Sequence, residues 1–171
     1  IEIKMKLGNA ETTLADVMNQ NVDACVVANP PSDKRLLVVP IMRQNMVAIV
    51  AKDHPWAERK SIGLSDLKGQ PVILRESGSN TRRILESALR KQRIDIDPVL
   101  ELGSREAVRE AAALGLGISF IQERETVGDN RIVALTLSDL RETNLDTLVC
   151  LKRQAKRLAI AALIRVAGDL S

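Results

Sequence analysis

"PVILRESGSNTRRILESALRKQ", residues 71–92, decides the fold class. The apolar run at 71–75 has the length and composition of a buried strand, and residues 80–92 carry apolar side chains at helical spacing. Only Glu76, Ser77, Gly78 and Ser79 separate the two, enough for a tight join and nothing more. The following stretch, "PVLELGSREAVREAAALGLGISFI" (98–121), repeats the arrangement: strand 98–102, the pair Gly103 and Ser104, helix 104–114, strand 117–121. Strands and helices alternating at this spacing predict an α/β fold, with parallel βαβ units and helices covering a mixed sheet.

Working outward, "IEIKMKL" (1–7) alternates strictly and predicts a half-buried strand. Asn9 can cap a helix over 10–20, with Leu14, Val17 and Met18 on one face. "VDACVVA" (22–28) predicts a more fully buried strand. "NPPSDKR" (29–35) breaks regular structure at its two prolines. Strands are expected at 36–42, 46–52, 131–137 and 145–152, with a short helix at 65–68 and a closing amphipathic helix over 154–170. An unpaired alternating edge at 1–7 is a poor monomer surface, so association with another chain is expected. The sequence opens inside that strand pattern without a methionine and reads as a piece of a longer protein.

Of 171 residues, 45% are hydrophobic and 27% charged, the balance of a globular chain. One Phe, one Trp and no Tyr leave an aliphatic core to do the packing. The net charge of +3 is dispersed rather than gathered into a stripe, which speaks against nucleic-acid binding by these residues themselves. No apolar run approaches the roughly 20 residues that span a bilayer. Cys25 and Cys150 sit in strand-like apolar runs and read as buried reduced thiols, which fits a cytoplasmic setting.

Three joins offer small residues ahead of a helix: "GNAE" at 8–11, "ESGSN" at 76–80 and "GSRE" at 103–106. In open α/β sheets, ligands settle beyond the carboxyl ends of the strands, where helix amides and a positive helix end favour an anion. Ser77, Ser79, Asn80, Thr81 and Ser104 add side-chain donors, and Arg75, Arg82 and Arg83 add charge. The other reading is that Ser79 or Asn80, and Ser104, are simply N-caps.

Catalytic signatures are missing from the pattern. His54, the one histidine, stands before Pro55 in a loop and reads as a turn element. "LGLGIS" (114–119) leaves a helix and enters a strand, the reverse of a dinucleotide fingerprint, so Gly115 reads as a helix terminator. No cluster of Cys, His and carboxylates has metal-ligand spacing, and no cofactor is expected.

In order and spacing, "GNAETTLADVMNQNVDACVV", "MVAIVAKDHPWA", "IGLSDLKGQPVILRESGSNTRRILE" and "LELGSREAVREAAALGLGISFI" resemble the effector-binding domain of LysR-type transcriptional regulators across nearly the whole chain. The resemblance implies two lobes like a small periplasmic binding protein, one formed by 1–52 and 145–171, the other by 53–144. It places an inducer in the interlobe cleft, facing Ser77, Gly78, Ser79, Asn80, Thr81 and Arg82, with Gly103, Ser104 and, from the first lobe, Asn29. DNA binding would then belong to an N-terminal helix-turn-helix of the parent protein, which would assemble as a homodimer or homotetramer without membrane contact. "RESGSNTR" with "ELGSREAVREA" most resembles regulators of carbon fixation and of aminoethylphosphonate breakdown, and leans toward the latter, implying a small anionic inducer, phosphonate, phosphate or carboxylate. Two other classes share such lobes: a solute-binding protein of a transport system, and a small-molecule transferase. The missing base and nucleophile argue against an enzyme.

Overall fold

The computed structural model describes residues 2–170, and the chain divides into two compact units, Ile1–Arg43 with Asn144–Ser171, and Gln44–Thr143. In the first unit, helix α1 (Ala10–Met18) precedes strands β1 (Ala24–Ala28) and β2 (Leu36–Gln44). Strand β9 (Asn144–Leu151) returns late in the sequence to lie between them, antiparallel to β1. Val17 of α1 packs with Leu36, Val149 and Leu151, flanked by Leu14, Met18, Val22 and Cys25. The closing helix α4 (Leu158–Asp169) buries Ile160 and Ala167 and packs against β9.

Residues 2–7 differ from the expected strand. They have no regular structure, and Ile3, Met5 and Leu7 are 75%, 85% and 88% exposed. Alternation marks which face a strand would bury. A strand also needs a neighbour to take its backbone hydrogen bonds, and none of the described strands lies beside this segment.

The second unit holds β3 (Met46–Ala51), β4 (Ser61–Ile62), β5 (Val72–Arg75), α2 (Asn80–Gln92), β6 (Pro98–Leu102), α3 (Arg105–Ala113), β7 (Ser119–Gln122) and β8 (Ile132–Leu137). Every residue of β3 is buried, because it runs between β7 and β8 in a sheet of order β4–β8–β3–β7. The sequence reading grouped 46–52 with the first lobe; those residues are the central strand of this second sheet instead. β5 and β6 pair in parallel, and a parallel bridge from Val72 to Ile118 sets β5 beside β7. The row therefore reads β6–β5–β7–β3–β8–β4.

The two faces of this row carry different cores. Val72, Leu74 and Phe120 pack with Ile84, Leu85, Ala88 and Leu89 of α2. Ile73 and Ile121 pack with Val108, Ala111 and Ala112 of α3 on the other face. Such alternation along each strand is what a sheet covered on both sides requires. Gly115 ends α3 in a left-handed conformation, φ +74°, with Leu116 N–H donating to the Ala111 carbonyl at 3.1 Å and Gly115 N–H to that of Ala112 at 3.0 Å.

Candidate functional site

β5, β6 and β7 are parallel, so their carboxyl ends, near Arg75, Leu102 and Gln122, share one edge of the second unit. From β5 the chain leaves into α2 on one face; from β6 it leaves into α3 on the other and returns as β7 on the far side of β5. This 2-1-3 order makes the gap between the ends of β5 and β7 a topological switch point, where open α/β sheets bind ligands.

The ladder between these two strands closes only at its start. Ile118 N–H donates to the Pro71 carbonyl and Ile73 N–H to the Ile118 carbonyl, each at 2.8 Å. Beyond that, the Ile73 carbonyl accepts from the Ser119 hydroxyl at 3.1 Å, and the Gln122 amide donates to the Glu125 carboxylate at 3.1 Å. Among the described residues no further β5–β7 bridge follows, so the strands are unpaired toward this edge.

At the end of β5, Glu76 to Ser79 form a turn closed by Ser79 N–H on the Glu76 carbonyl at 3.2 Å. Its third residue, Gly78, has φ +85°, the left-handed position that glycine fills without strain in a type II turn. The turn presents Ser79 at the N-cap of α2. Ser79 is 4% exposed, yet its side chain makes no cap hydrogen bond.

The other two joins are closed. Asn9 Oδ1 accepts the Thr12 amide at 2.9 Å at the start of α1. Ser104 Oγ accepts the Ala107 amide at 3.0 Å at the start of α3. The Glu106 carboxyl is held below its ordinary value, first by its own backbone amide and then by the Ser104 hydroxyl. Ser104 is thus engaged on both sides as a cap. Gly103 is exposed beside it, and a Cβ there would meet nothing within 4 Å.

Two of the three arginines at the join before α2, Arg75 and Arg82, are paired with carboxylates. Arg75 is buried and forms a forked pair with Glu76 at 2.7 and 2.8 Å. Arg82 reaches Glu86 at 2.7 Å, Glu101 at 2.6 Å and the Arg75 carbonyl at 3.1 Å, which ties the first turn of α2 to the ends of β5 and β6. Those carboxylates raise the affinity of Arg82 for its proton. Arg83 bonds the Asn80 side-chain oxygen. The charges of Arg75 and Arg82 are thus met by Glu76, Glu86 and Glu101, whereas the partner of Arg83, Asn80, is neutral.

Of the residues singled out from sequence, Ser77, Gly78, Ser79, Asn80, Thr81 and Arg82 lie together at this open join. Asn29 lies in the first unit, where its side chain accepts the Leu145 amide at 3.0 Å and its own amide donates to the Leu145 carbonyl at 3.1 Å. Its φ of +48° makes it a turn residue at the end of β1. His54 Nδ1 accepts the Trp56 amide at 3.1 Å and so belongs to a turn. Cys25 and Cys150 are free; Cys25 pairs in register with Val149 and Cys150 with Ala24, so their side chains project from opposite faces of the sheet. Burial pushes the Cys25 thiol up to about 11. Among the described residues no group of His, Cys, Asp and Glu could hold a metal ion, and no helix is long and apolar enough to cross a membrane.

Sequence reading missed Gln122, at the carboxyl end of β7. It is 9% exposed, and its Oε1 has no hydrogen-bond partner among the described residues. Polarity at the close of an otherwise apolar strand, "ISFIQ", was the available signal.

Residues 1–170 match the family described as LysR substrate binding domain. The HTH-type transcriptional activator CmpR of Synechocystis sp. is 32% identical over 121 residues, covering 71% of this chain and 40% of that protein. The regulatory domain of CcmR from Synechocystis PCC6803, solved in complex with 2-PG, superposes with a TM-score of 0.89 at 25% identity, covering 99% of this chain and 83% of that one. The effector-binding domain of QuiR, in complex with shikimate, gives 0.85 at 20% identity, covering 95% and 78%, and speaks for the fold. The chain spans less than half the length of CmpR.

Proposed function

The chain belongs to the LysR substrate-binding domain family, and we propose that it senses a small anionic metabolite, a phosphate, phosphonate or carboxylate, at the carboxyl edge of β5 and β7. The observation that carries this reading is the join before α2. Its glycine turn exposes backbone to a ligand and its buried N-cap serine leaves the helix amides uncapped by its own hydroxyl, while the joins before α1 and α3 are capped. Gly78, Ser79, Asn80 and Thr81 make up the anion cradle, with Ser77 on its rim. Arg82 holds the cradle in place through Glu86 and Glu101. Gly103 and Ser104 support the neighbouring strand end. The CcmR complex with 2-PG supports the small-ligand class. In the parent regulator, occupancy would control transcription through a DNA-binding segment outside these residues, in a cytoplasmic homodimer or homotetramer.

The test is calorimetric titration of this chain with 2-PG, inorganic phosphate and small dicarboxylates. At least one should bind, and Ser79→Ala or Thr81→Ala should weaken it about 10- to 150-fold, the effect of one hydrogen bond to a charged ligand. Binding unaltered in both variants would move the anion elsewhere.

A further inference from the structure

At the switch point β5 ends in the proposed anion cradle, and the facing strand ends in Gln122, whose buried side-chain oxygen has no hydrogen-bond partner among the described residues. Carrying the Val72–Ile118 register four residues on sets Gln122 level with Glu76. Side chains alternate along β7: Phe120 belongs to the α2-side core and Ile121 to the α3-side core, so Gln122 falls on the α2 side. Its register partner on β3, Met46, packs in that same α2-side core. Gln122 therefore stands at the same edge, and on the same face, as the first turn of α2. Its backbone is fixed independently: its amide goes to Glu125, whose other carboxylate oxygen is held by Arg105 at 2.7 Å. Buried polar groups in folded proteins are almost always hydrogen-bonded, and an unmet one calls for an explanation such as a missing partner.

Resting on the anion reading above, we infer that Gln122 is a specificity residue whose carboxamide oxygen accepts a hydrogen bond from the ligand, so that the natural effector carries a hydroxyl or ammonium donor a short distance from its anionic group. The cradle fixes the anion and Gln122 selects among anions. A carboxamide suits this division, because it offers an acceptor without a charge that would repel the ligand's anionic end. A site built to hydrogen-bond one ligand group discriminates against the analogue lacking it, since the protein group is then left unpaired.

Three matched probes separate the cradle from the selector: methylphosphonate, with no donor, hydroxymethylphosphonate and aminomethylphosphonate. Each is titrated into the wild-type chain, Gln122→Met and Gln122→Glu, with Tm recorded alongside. The wild type should prefer one of the donor-bearing probes over methylphosphonate by about 3- to 10-fold, the effect of one neutral hydrogen bond. Gln122→Met should bring that ratio to within twofold of unity. Gln122→Glu preserves shape if the methionine variant fails to fold. It should bind methylphosphonate at least about tenfold more weakly, with aminomethylphosphonate affected least. A donor preference that persists in Gln122→Met, an absent preference in the wild type, or a methylphosphonate affinity untouched by Gln122→Glu would overturn the assignment of Gln122 and leave the cradle standing. Failure of all three probes, and of 2-PG, inorganic phosphate and small dicarboxylates, to bind the wild type would remove the cradle and the selector together; failure of the three probes alone would remove the selector.

Discussion

Ser79 and Ser104 stand in similar sequence surroundings, each after a strand and a glycine and each before a helix, but the two hydroxyls do different things. Ser104, with φ −145° and ψ 159°, reaches forward to the Ala107 amide. Ser79, with φ −72° and ψ 134°, is turned by the Gly78 hairpin into a buried position without a cap bond. A helix start capped by its own N-cap side chain is satisfied locally, whereas one without that bond has its amides met from elsewhere, by another protein group, water or a ligand. Small polar residues before a helix thus mark a helix start, and the turn geometry decides whether the N-cap serine closes it.

The widest break in this comparison would come from disturbing the approach of β7 to β5. Gly117 has φ +157°, and a Cβ added to it would lie 2.5 Å from the Pro71 carbonyl oxygen and 3.1 Å from Ile73 Cγ1. Backbone cannot yield as a flexible side chain can, so Gly117→Ala should cost about 3 kcal/mol or more, at the upper end of single substitutions. Chemical denaturation would measure it, and a loss below about 1 kcal/mol, the ordinary size of a mutation, would mean that the two strands are not held together there.

A double dissociation sharpens the comparison further. Asn9→Ala and Ser104→Ala each remove an observed cap bond and should cost about 1 kcal/mol, or a Tm lower by roughly 2–4 °C for a chain of this size. Ser79→Ala removes no cap bond and should lower Tm by less than Ser104→Ala does. Equal destabilisation by Ser79→Ala and Ser104→Ala would erase the distinction between the joins.

Most of the fold was legible because each element carries its own period. The helix 80–92 and the strands around it were read to within a residue, and Gly115 was recognised as a terminator because a G-x-G after a helix has few other uses. Residues 2–7 misled because alternation encodes a face without encoding a neighbour. The turn before α2 was legible in "ESGSN", whose glycine and serines are local. Gln122 was not, since its position opposite the cradle follows from the strand order β6–β5–β7, a non-local fact that no window of sequence displays. The pairing of Arg82 with Glu101 was equally hidden, since Glu101 lies 19 residues beyond it in the sequence.

The smallest expected effect concerns the closed side. There α3 is fastened by exposed ion pairs: Arg131 reaches Glu110 at 2.6 Å and Asp129 at 2.8 Å, and Arg105 reaches Glu125. The hydrogen bonds from the Arg131 side chain, and then from its backbone, hold the Asp129 carboxyl down at about 2, and the same guanidinium lowers Glu110. Because both folded-state values lie below the unfolded ones, the pairs contribute fully above about pH 5 and lose their contribution as pH falls toward 2. Exposed ion pairs are weak, so the effect on Tm is small. Arg131→Met should therefore melt slightly below the wild type from pH 7 to about pH 5, and the gap should close on acidification toward pH 2. Ligand affinity at the open join should be the same in both proteins at pH 7, since Arg131 lies on the α3 side and the cradle on the α2 side. A gap in Tm that stays constant down to pH 2 would show that Arg131 acts through packing rather than charge. A matching loss of affinity at pH 7 would show that the closed and open sides are coupled, and that the difference between the two joins is not local.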